Sequence, residues 1–233
     1  MSGSRQFVIG LPALNRLGRS DFLPAAANEA ALAFIDAWPA WPGPALVIHG
    51  PEGSGKSHLA AIWRARATPL ALDPAALADT AARALLGSAT AVLIEDLDRA
   101  LTDWAPPERA LDDALFSLWT ALAERRGHLL LTARTAPARW TVRLPDLASR
   151  LRGATAVAVA APDEDLLAGV LLKLLNDRQV RISPEVVRYL LPRIERSFGA
   201  VHRLAEALDR AALAEHREIT VPLAKSVLEQ GGD

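Results

Sequence analysis

Several residue types and patterns are scarce in this sequence. There is no cysteine, which excludes disulfide bonds, thiolate metal sites and thiol catalysis. The formal net charge is only −1, whereas a dedicated nucleic-acid surface usually brings a basic excess. We therefore expect any contact with DNA to be local or made through a partner. No apolar run approaches the length of a membrane span, and the N-terminal MSGSRQF lacks the basic-then-apolar form of a signal peptide. These patterns predict a cytoplasmic protein without membrane contacts.

Aromatic residues are also few, at 5% of the chain, and most of the apolar residues are alanine and leucine. This composition favours a helix-rich α/β fold. A length of 233 residues is enough for one large domain or two small ones with a substantial core.

The strongest motif is GPEGSGKS at residues 50–57, which fits the pattern G-x-x-x-x-G-K-[ST]. It follows an apolar strand-like run and precedes a helical pattern that begins near His58. Glycines let backbone N–H groups point inward at a di- or triphosphate, while Lys56 reaches the terminal phosphates and the Ser57 hydroxyl helps to hold Mg²⁺. A glycine turn before an ordinary helix is the alternative. The predicted nucleotide-binding residues here are Gly50, Pro51, Glu52, Gly53, Ser54, Gly55, Lys56, Ser57 and His58.

Polar residues end two later apolar strand patterns. Residues 91–94 run into Glu95 and Asp96, and residues 128–131 run into Thr132. Since the carboxyl ends of parallel strands meet at one edge of a sheet, these side chains would lie beside the phosphates. We expect Glu95 to hold Mg²⁺, mostly through water, Asp96 to polarise an attacking water, and Thr132 to sense the γ-phosphate. Plain, solvated strand ends are the alternative.

The other periodicities divide the chain into three parts. Residues 1–20 are expected to form an arm, residues 21–160 an α/β core, and residues 161–233 a small all-helical domain. In the core we predict helices from an Asn28 cap to Pro39, over 74–86, over 107–126 and over 144–152, and strands at 68–72 and 156–159. In the helical part we predict helices over 163–176, 183–194, 199–216 and 221–230.

The arm contains the hexapeptide QFVIGL at residues 6–11, a glutamine followed by spaced apolar residues. An exposed segment of this kind can dock in an apolar groove on another protein, with the glutamine fixing its register through hydrogen bonds. From the residues alone, an edge strand or a tail packed on its own domain is the more ordinary interpretation.

The order of these features, with Arg150 after a short helix and Arg203 early in a later one, resembles the AAA+ ATPases. More narrowly, SDFLPAAANEAA, GPEGSGKSHLA, LPDLASRL and AVHRLAEAL resemble the ATPase core of the replication initiator DnaA. DnaA carries a separate C-terminal DNA-binding domain, for which we expect no room before Asp233. The chain therefore looks like the Hda group of short DnaA-related regulators.

This resemblance implies an AAA+ core with a helical lid, ADP or ATP with Mg²⁺ as ligands, and two partners. One partner would be the sliding clamp of DNA polymerase, through which the protein meets DNA indirectly. The other would be DnaA itself, whose bound ATP is hydrolysed under the influence of the Hda group. The clamp-binding motif maps to Gln6, Phe7, Ile9 and Leu11.

The resemblance also implies roles for residues elsewhere in the chain. Adenine would lie near Phe22, Leu23 and Pro24, and Arg203 would reach the nucleotide from the lid. Arg150 would act in trans as an arginine finger on ATP held by DnaA. A symmetric homodimer that hides the finger or the arm would be a natural resting form.

Two positions depart from the DnaA pattern. The acidic pair reads Glu95-Asp96 instead of Asp-Asp, and Arg134 stands where DnaA has an acid after Thr132. Both departures predict weak intrinsic hydrolysis.

Two other functions stay open from the sequence. One is an ATPase acting on single-stranded DNA as a helicase loader or transposase helper, for which a basic channel would be needed. The other is a P-loop small-molecule kinase, an assignment based only on reuse of the fold.

Overall fold

The structure is a computed structural model that describes residues 18–79, 82–103, 110–215 and 218–230. Within these ranges the helices and strands are α1 (Glu29–Ala37), β1 (Ala45–His49), α2 (Lys56–Ala67), β2 (Leu70–Ala71), α3 (Pro74–Asp79), α4 (Ala82–Leu86), β3 (Ala91–Ile94), α5 (Leu97–Asp103), α6 (Ala110–Glu124), β4 (His128–Ala133), α7 (Pro145–Gly153), β5 (Thr155–Ala158), α8 (Glu164–Asn176), α9 (Pro184–Leu190), α10 (Phe198–Glu215) and α11 (Val221–Gln230). Short 3₁₀ turns lie at Arg19–Asp21, Pro137–Arg139 and Leu191–Arg193.

The five strands form one parallel sheet in the order β2-β3-β4-β1-β5. The strand β1 lies between β4 and β5, with Ile48 paired to Thr132 on one side and to Val157 on the other. Because all strands run in the same direction, the loops that follow β1, β3 and β4 leave the sheet at the same edge. The phosphate-loop motif and the acidic pair therefore meet there.

Alternate residues of the central strands enter two apolar clusters on opposite faces of the sheet. Val47 and Leu131 pack with α3 to α7, whereas Leu46 and Leu130 pack with α1 and α2 around Trp63. This alternation explains the continuous apolar runs, because a strand covered on both faces needs apolar residues at every position. The leucines of α6 at helical spacing are core residues of the first cluster: Leu111, Leu115, Leu118 and Leu122.

The helices α8 to α11 contain a third apolar cluster of their own, in which Leu171, Leu190 and Leu208 are fully buried. This cluster draws its buried members only from residues after β5. The predicted fold class, a parallel α/β core followed by a helical lid, is confirmed. None of the helices in the described ranges is long and apolar enough to cross a bilayer.

Several predicted elements differ in extent. The strand predicted at 68–72 is only Leu70–Ala71, because Thr68 ends α2 with a φ of 42° and its N–H donates to the carbonyl of Arg64 at 3.0 Å. Thr132 lies inside β4, since the strand continues to Ala133. The short helix α5 was not predicted, because it is only one or two turns long and carries a buried aspartate.

Other predicted boundaries fall partly outside the described ranges. The helix predicted over 74–86 appears as α3 and α4, with residues 80–81 not described, and α6 is the described part of the helix predicted over 107–126. Asn28 is the N-cap residue of α1, as predicted, but its carboxamide makes no cap bond to the helix. The carboxamide instead accepts from the Ala25 N–H and donates to the Leu23 carbonyl, both in the segment before the helix.

Asp98 ties α5 to the end of β4. Its buried carboxylate accepts hydrogen bonds through Oδ2 from the N–H groups of Arg134 and Thr135, at 3.0 and 2.9 Å, and from the Thr135 hydroxyl at 3.0 Å. Buried charged groups need such partners to offset their lost hydration. The chain that follows β4 is therefore fixed to the helix that follows the acidic pair.

Replacing Asp98 with alanine should lower the free energy of unfolding by about 1–3 kcal/mol, because two partly buried backbone N–H groups and one hydroxyl lose their acceptor. Asp103→Ala is the matched control on the same helix, since it removes only an exposed ion pair with Arg99 at 3.4 Å; it should cost less than about 0.5 kcal/mol. Urea denaturation followed by circular dichroism measures both, and equal losses would contradict the assigned role of Asp98.

Candidate functional site

A cavity of about 810 Å³ lies between the carboxyl edge of the sheet and the helices α8 and α10. Its walls come from the segment 21–28 before α1, from the phosphate loop and the start of α2, from the chain after β3 and β4, and from both lid helices. Ligand sites typically span about 300–1,000 Å³. The cavity therefore has room for one small molecule of nucleotide size.

The loop at residues 50–57 has a backbone that requires glycine. Gly53 and Gly55 adopt φ values of 72° and 95°, a region that residues with a Cβ rarely enter. A Cβ on Gly50 would collide with the carbonyl oxygen of Val159, and the Gly50 N–H donates to the carbonyl of Ala133 at 3.1 Å. The loop is thus held against the strand ends, with Gly53 and Gly55 lining the cavity.

Lys56 is the buried cation of this loop. The residue is 7% exposed, and its Nζ donates to the carbonyl oxygens of Gly50 and Pro51, both at 2.8 Å. Burial lowers the pKa of Lys56, against the opposing effect of the Asp96 carboxylate. An ammonium group has three donors, so one donor remains for an anion in the cavity.

Two further observations fit a phosphate group at the loop. The hydroxyl of Ser54 is buried and has no hydrogen-bond partner within the described part of the chain, which in a native structure points to an absent ligand or water. Ser57 is the second residue of α2 and lines the cavity, where the helix dipole favours negative charge. The residues present therefore fit a di- or triphosphate, with Ser57 available to a bound Mg²⁺.

The predicted catalytic residues occupy different depths. Asp96 is exposed and lines the cavity, whereas Glu95 is half-buried and is not among the lining residues. Thr132 is buried, and its hydroxyl accepts a hydrogen bond from the Asp96 N–H at 3.1 Å. Asp96 has a φ of 50°, which is uncommon for a residue with a Cβ. In this structure Thr132 therefore supports the strained backbone of Asp96.

The segment before α1 forms the opposite wall. Phe22 is buried with its ring edge-on to the His58 imidazole, at 5.0 Å between centroids, and the His58 Nε2–H donates to the Gly18 carbonyl at 3.1 Å. Burial lowers the pKa of His58. Asn28 holds this segment by donating to the Leu23 carbonyl at 3.1 Å. Phe22 and Leu23 line the cavity, whereas Pro24 does not.

The lid helix α10 begins directly beside the phosphate loop. The N–H of Phe198 donates to the carbonyl of Gly53 at 3.3 Å. A Cβ on Gly53 would lie 2.5 Å from the Ser197 Cβ, and one on Gly55 would lie 3.1 Å from the Phe198 ring. Gly53 is therefore required twice, by its own backbone angle and by its contact with Ser197, whereas a Cβ on Gly55 would strain the backbone and press on the Phe198 ring.

Arg203 and His202 face the cavity from α10. The side chain of Arg203 is 72% exposed and lies 3.9 Å from the Glu195 carboxylate, so it is a weakly held cation. His202 is half-buried, and burial lowers its pKa, with the positive charge of Arg178 adding to the effect. His202 was not predicted as a site residue, although it adjoins one that was.

A charged cluster connects α8 to the segment before α1. The Nζ of Lys173 lies 2.9 Å from both the Asp21 and the Asp177 carboxylates, and these hydrogen bonds raise the pKa of Lys173. All three residues line the cavity. Sequence reasoning missed them, because Lys173 and Asp177 mark only a polar end of α8 and Asp21 lies 152 residues away from Lys173 in the chain.

Arg150 lies away from this cavity and is not among its lining residues. Its guanidinium carbon is 4.3 Å above the ring centroid of Phe116, and its Nη1 donates to the Thr120 hydroxyl at 3.0 Å. That hydroxyl in turn donates to the backbone carbonyl of Phe116 at 2.9 Å. The arginine is thus held on one face of α6, whose residues 116 and 120 are one turn apart. The predicted clamp-binding residues, Gln6, Phe7, Ile9 and Leu11, lie outside the described residues.

The chain is similar to several known proteins. Residues 166–228 match the family model of the Hda lid domain. An uncharacterised protein from Haemophilus influenzae is 26% identical over 195 residues, covering 79% of this chain and 81% of the relative. Domain III of the Thermotoga maritima replication initiation protein DnaA matches with a TM-score of 0.76 at 16% identity, covering 94% of this chain and 98% of that chain. AMPPCP-bound DnaA from Aquifex aeolicus matches with a TM-score of 0.67 at 17% identity, covering 81% of this chain and 63% of that chain.

The chain has the fold of DnaA domain III, and its residues 166–228 are similar to the Hda lid domain. The range matched by the Hda lid model runs from within α8 to within α11. It therefore includes Lys173, which joins the lid to the segment before α1, and Phe198, which joins it to the phosphate loop. The Hda-like part of the chain therefore borders the cavity on two sides, through α8 and through α10.

Gly53→Ala should lower the free energy of unfolding by about 1–3 kcal/mol, because the new methyl group meets Ser197 and the backbone angle is strained. Gly153→Ala is the control, since a Cβ there meets nothing within 4 Å; it should be neutral or stabilising by up to about 1 kcal/mol. The melting temperatures of both variants, measured by thermal unfolding, test this difference in stability. A Gly53→Ala protein as stable as the control would show that the lid does not press on the loop.

Proposed function

We propose that this protein is an adenine-nucleotide-bound regulator of chromosomal replication initiation in the cytoplasm. In this proposal it binds the sliding clamp through its N-terminal arm and promotes hydrolysis of ATP held by DnaA. The observation that supports it most is the position of Arg150. Arg150 lies in the last turn of α7 and does not line the cavity of its own chain. Its half-buried side chain is therefore available to a neighbouring molecule.

In the proposed complex the nucleotide lies in the cavity between core and lid. Its phosphates rest in the loop against Lys56, its base lies near Phe22 and Leu23, and Arg203 approaches from α10. Mg²⁺ would be held by the Ser57 hydroxyl and, through water, by Glu95, and it would neutralise charge on the phosphates. Support comes from the loop geometry and from the AMPPCP-bound DnaA of Aquifex aeolicus, which has the same fold.

Arg150 is suited to act on a partner's nucleotide because it is both restrained and accessible. Stacking on Phe116 and the bond to Thr120 hold the guanidinium in one place, and the side chain is only half-buried. An arginine that is already oriented loses little entropy when it meets a phosphate. Arginine fingers of this kind contribute about 10³–10⁵ in rate.

The protein's own hydrolysis is proposed to be weak. Glu95 is set back from the cavity, and the hydroxyl of Thr132 is engaged by the backbone of Asp96. The phosphate site itself is complete, so these features lower turnover without lowering affinity. Bound ADP would then persist and keep the lid seated.

Arg150→Ala should abolish stimulated hydrolysis of DnaA-bound ATP while leaving ADP affinity and clamp binding intact, because the residue lies outside the cavity. Thr120→Val should weaken stimulation in the same direction, since it removes the acceptor that orients the guanidinium. The matched control is Arg152→Ala on the same helix, whose guanidinium bonds only to a backbone carbonyl one turn away, that of Ala148 at 3.2 Å.

The measurement is phosphate release from DnaA preloaded with labelled ATP, with clamp and DNA present. Wild-type stimulation by the Arg150→Ala variant would refute the finger assignment. Equal loss in the Arg152→Ala control would reduce Arg150 to one part of a general basic surface.

The arm is proposed to bind the clamp through its hexapeptide. Gln6→Ala combined with Phe7→Ala should lose capture by immobilised clamp, because the substitution removes the hydrogen-bonding residue and its first apolar anchor. Asn15→Ala, in the same arm but outside the hexapeptide, should bind as wild type does. Undiminished capture of the double variant would assign the arm to packing on its own chain.

A further inference from the structure

Arg134 directly follows the end of β4, between the phosphate loop on one side and the acidic pair on the other. The strand that precedes it, β4, lies between β1, which carries the loop, and β3, which carries the acidic pair. Its N–H is fixed by Asp98 at 3.0 Å, while its side chain is 45% exposed. The backbone of Arg134 is therefore held in place, while its exposed side chain can change rotamer.

The guanidinium of Arg134 is paired with the phosphate loop itself. Its Nη2 lies 2.8 Å from Oε2 of Glu52, the third residue of the motif, and the Glu52 side chain is 76% exposed. Both residues line the cavity together with Lys56 and Asp96. An ion pair this exposed contributes little to stability, because water and salt compete for both partners. A stronger anion can therefore replace Glu52.

Charges of both signs meet at the phosphate loop. The cations Lys56 and Arg134 line the cavity together with the carboxylates of Glu52 and Asp96, and the Asp98 carboxylate also acts on Lys56. The site is also electrostatically coupled: burial lowers the pKa of Lys56, Asp96 opposes this, and the charge of Arg134 lowers it further. A third phosphate adds negative charge that repels Glu52 and attracts Arg134. Guanidinium groups bind phosphate in a bidentate manner and more tightly than they bind an exposed carboxylate.

We propose that Arg134 distinguishes nucleoside triphosphates from diphosphates, by leaving Glu52 and pairing with the terminal phosphate of a triphosphate. With a diphosphate, the ion pair between Arg134 and Glu52 stays in place across the phosphate end of the cavity. The inference rests on the proposed nucleotide binding and adds to it a residue that reads the nucleotide state. Glu52 competes with the terminal phosphate for Arg134, and this competition lowers the affinity for a triphosphate.

The test is calorimetric titration of the nucleotide-stripped protein with ADP and with AMPPCP in magnesium buffer. Arg134→Gln should weaken AMPPCP binding by about tenfold or more, the value of one charge-assisted contact, and change ADP binding by less than about threefold. Glu52→Gln should strengthen AMPPCP binding several-fold, because it removes both the competitor and a repelling charge. In the double variant the gain from Glu52→Gln should largely disappear.

Arg139→Gln is the matched control. This exposed arginine lines the neighbouring open groove with Arg134 but does not line the cavity, so it should leave both affinities unchanged. Equal weakening of ADP and AMPPCP by Arg134→Gln, or no weakening of either, would overturn the inference while leaving nucleotide binding intact. The inference would also fail if AMPPCP bound neither the wild type nor Glu52→Gln while ADP bound normally. Wild-type protein that took up neither nucleotide would instead refute the proposed function itself.

Discussion

The contact between the lid and the phosphate loop is the constraint on which the site depends. The backbone of α10 begins on Gly53, by a hydrogen bond and by contacts that leave no space for a Cβ. The loop needs glycine there for its own curvature, so one residue serves both the phosphate site and the closure of the cavity. The phosphate loop and the helical part are therefore joined directly at this residue.

A second connection reaches the lid from the other side. Lys173 on α8 bridges to Asp21, whose neighbour Phe22 packs against His58 at the start of α2. The wall around the expected base site is thus assembled from three separate stretches of chain, none of which forms a site alone. Half-buried ion pairs of this type hold geometry more than they add stability.

Three arginines of this protein have different surroundings. Arg203 is weakly held and lines the cavity, Arg150 is held on α6 and does not line it, and Arg134 is paired with Glu52 of the phosphate loop. The same side chain is thus loosely paired in one place, fixed by an aromatic ring and a hydroxyl in another, and joined to an exposed carboxylate in the third. What differs is the set of groups within hydrogen-bonding distance, which the fold supplies.

The sequence by itself determined the phosphate loop, the parallel sheet, the acidic strand end and the helical character of the C-terminal part. These depend on local rules, because glycine tolerance and apolar periodicity are read within a few residues. Only the tertiary structure decided that Thr132 supports Asp96, that Ser197 and Phe198 sit on the loop, that Lys173 meets Asp21, and that Arg134 pairs with Glu52. Those contacts join residues far apart in the chain, and their formation depends on strand order and helix placement that no local pattern encodes.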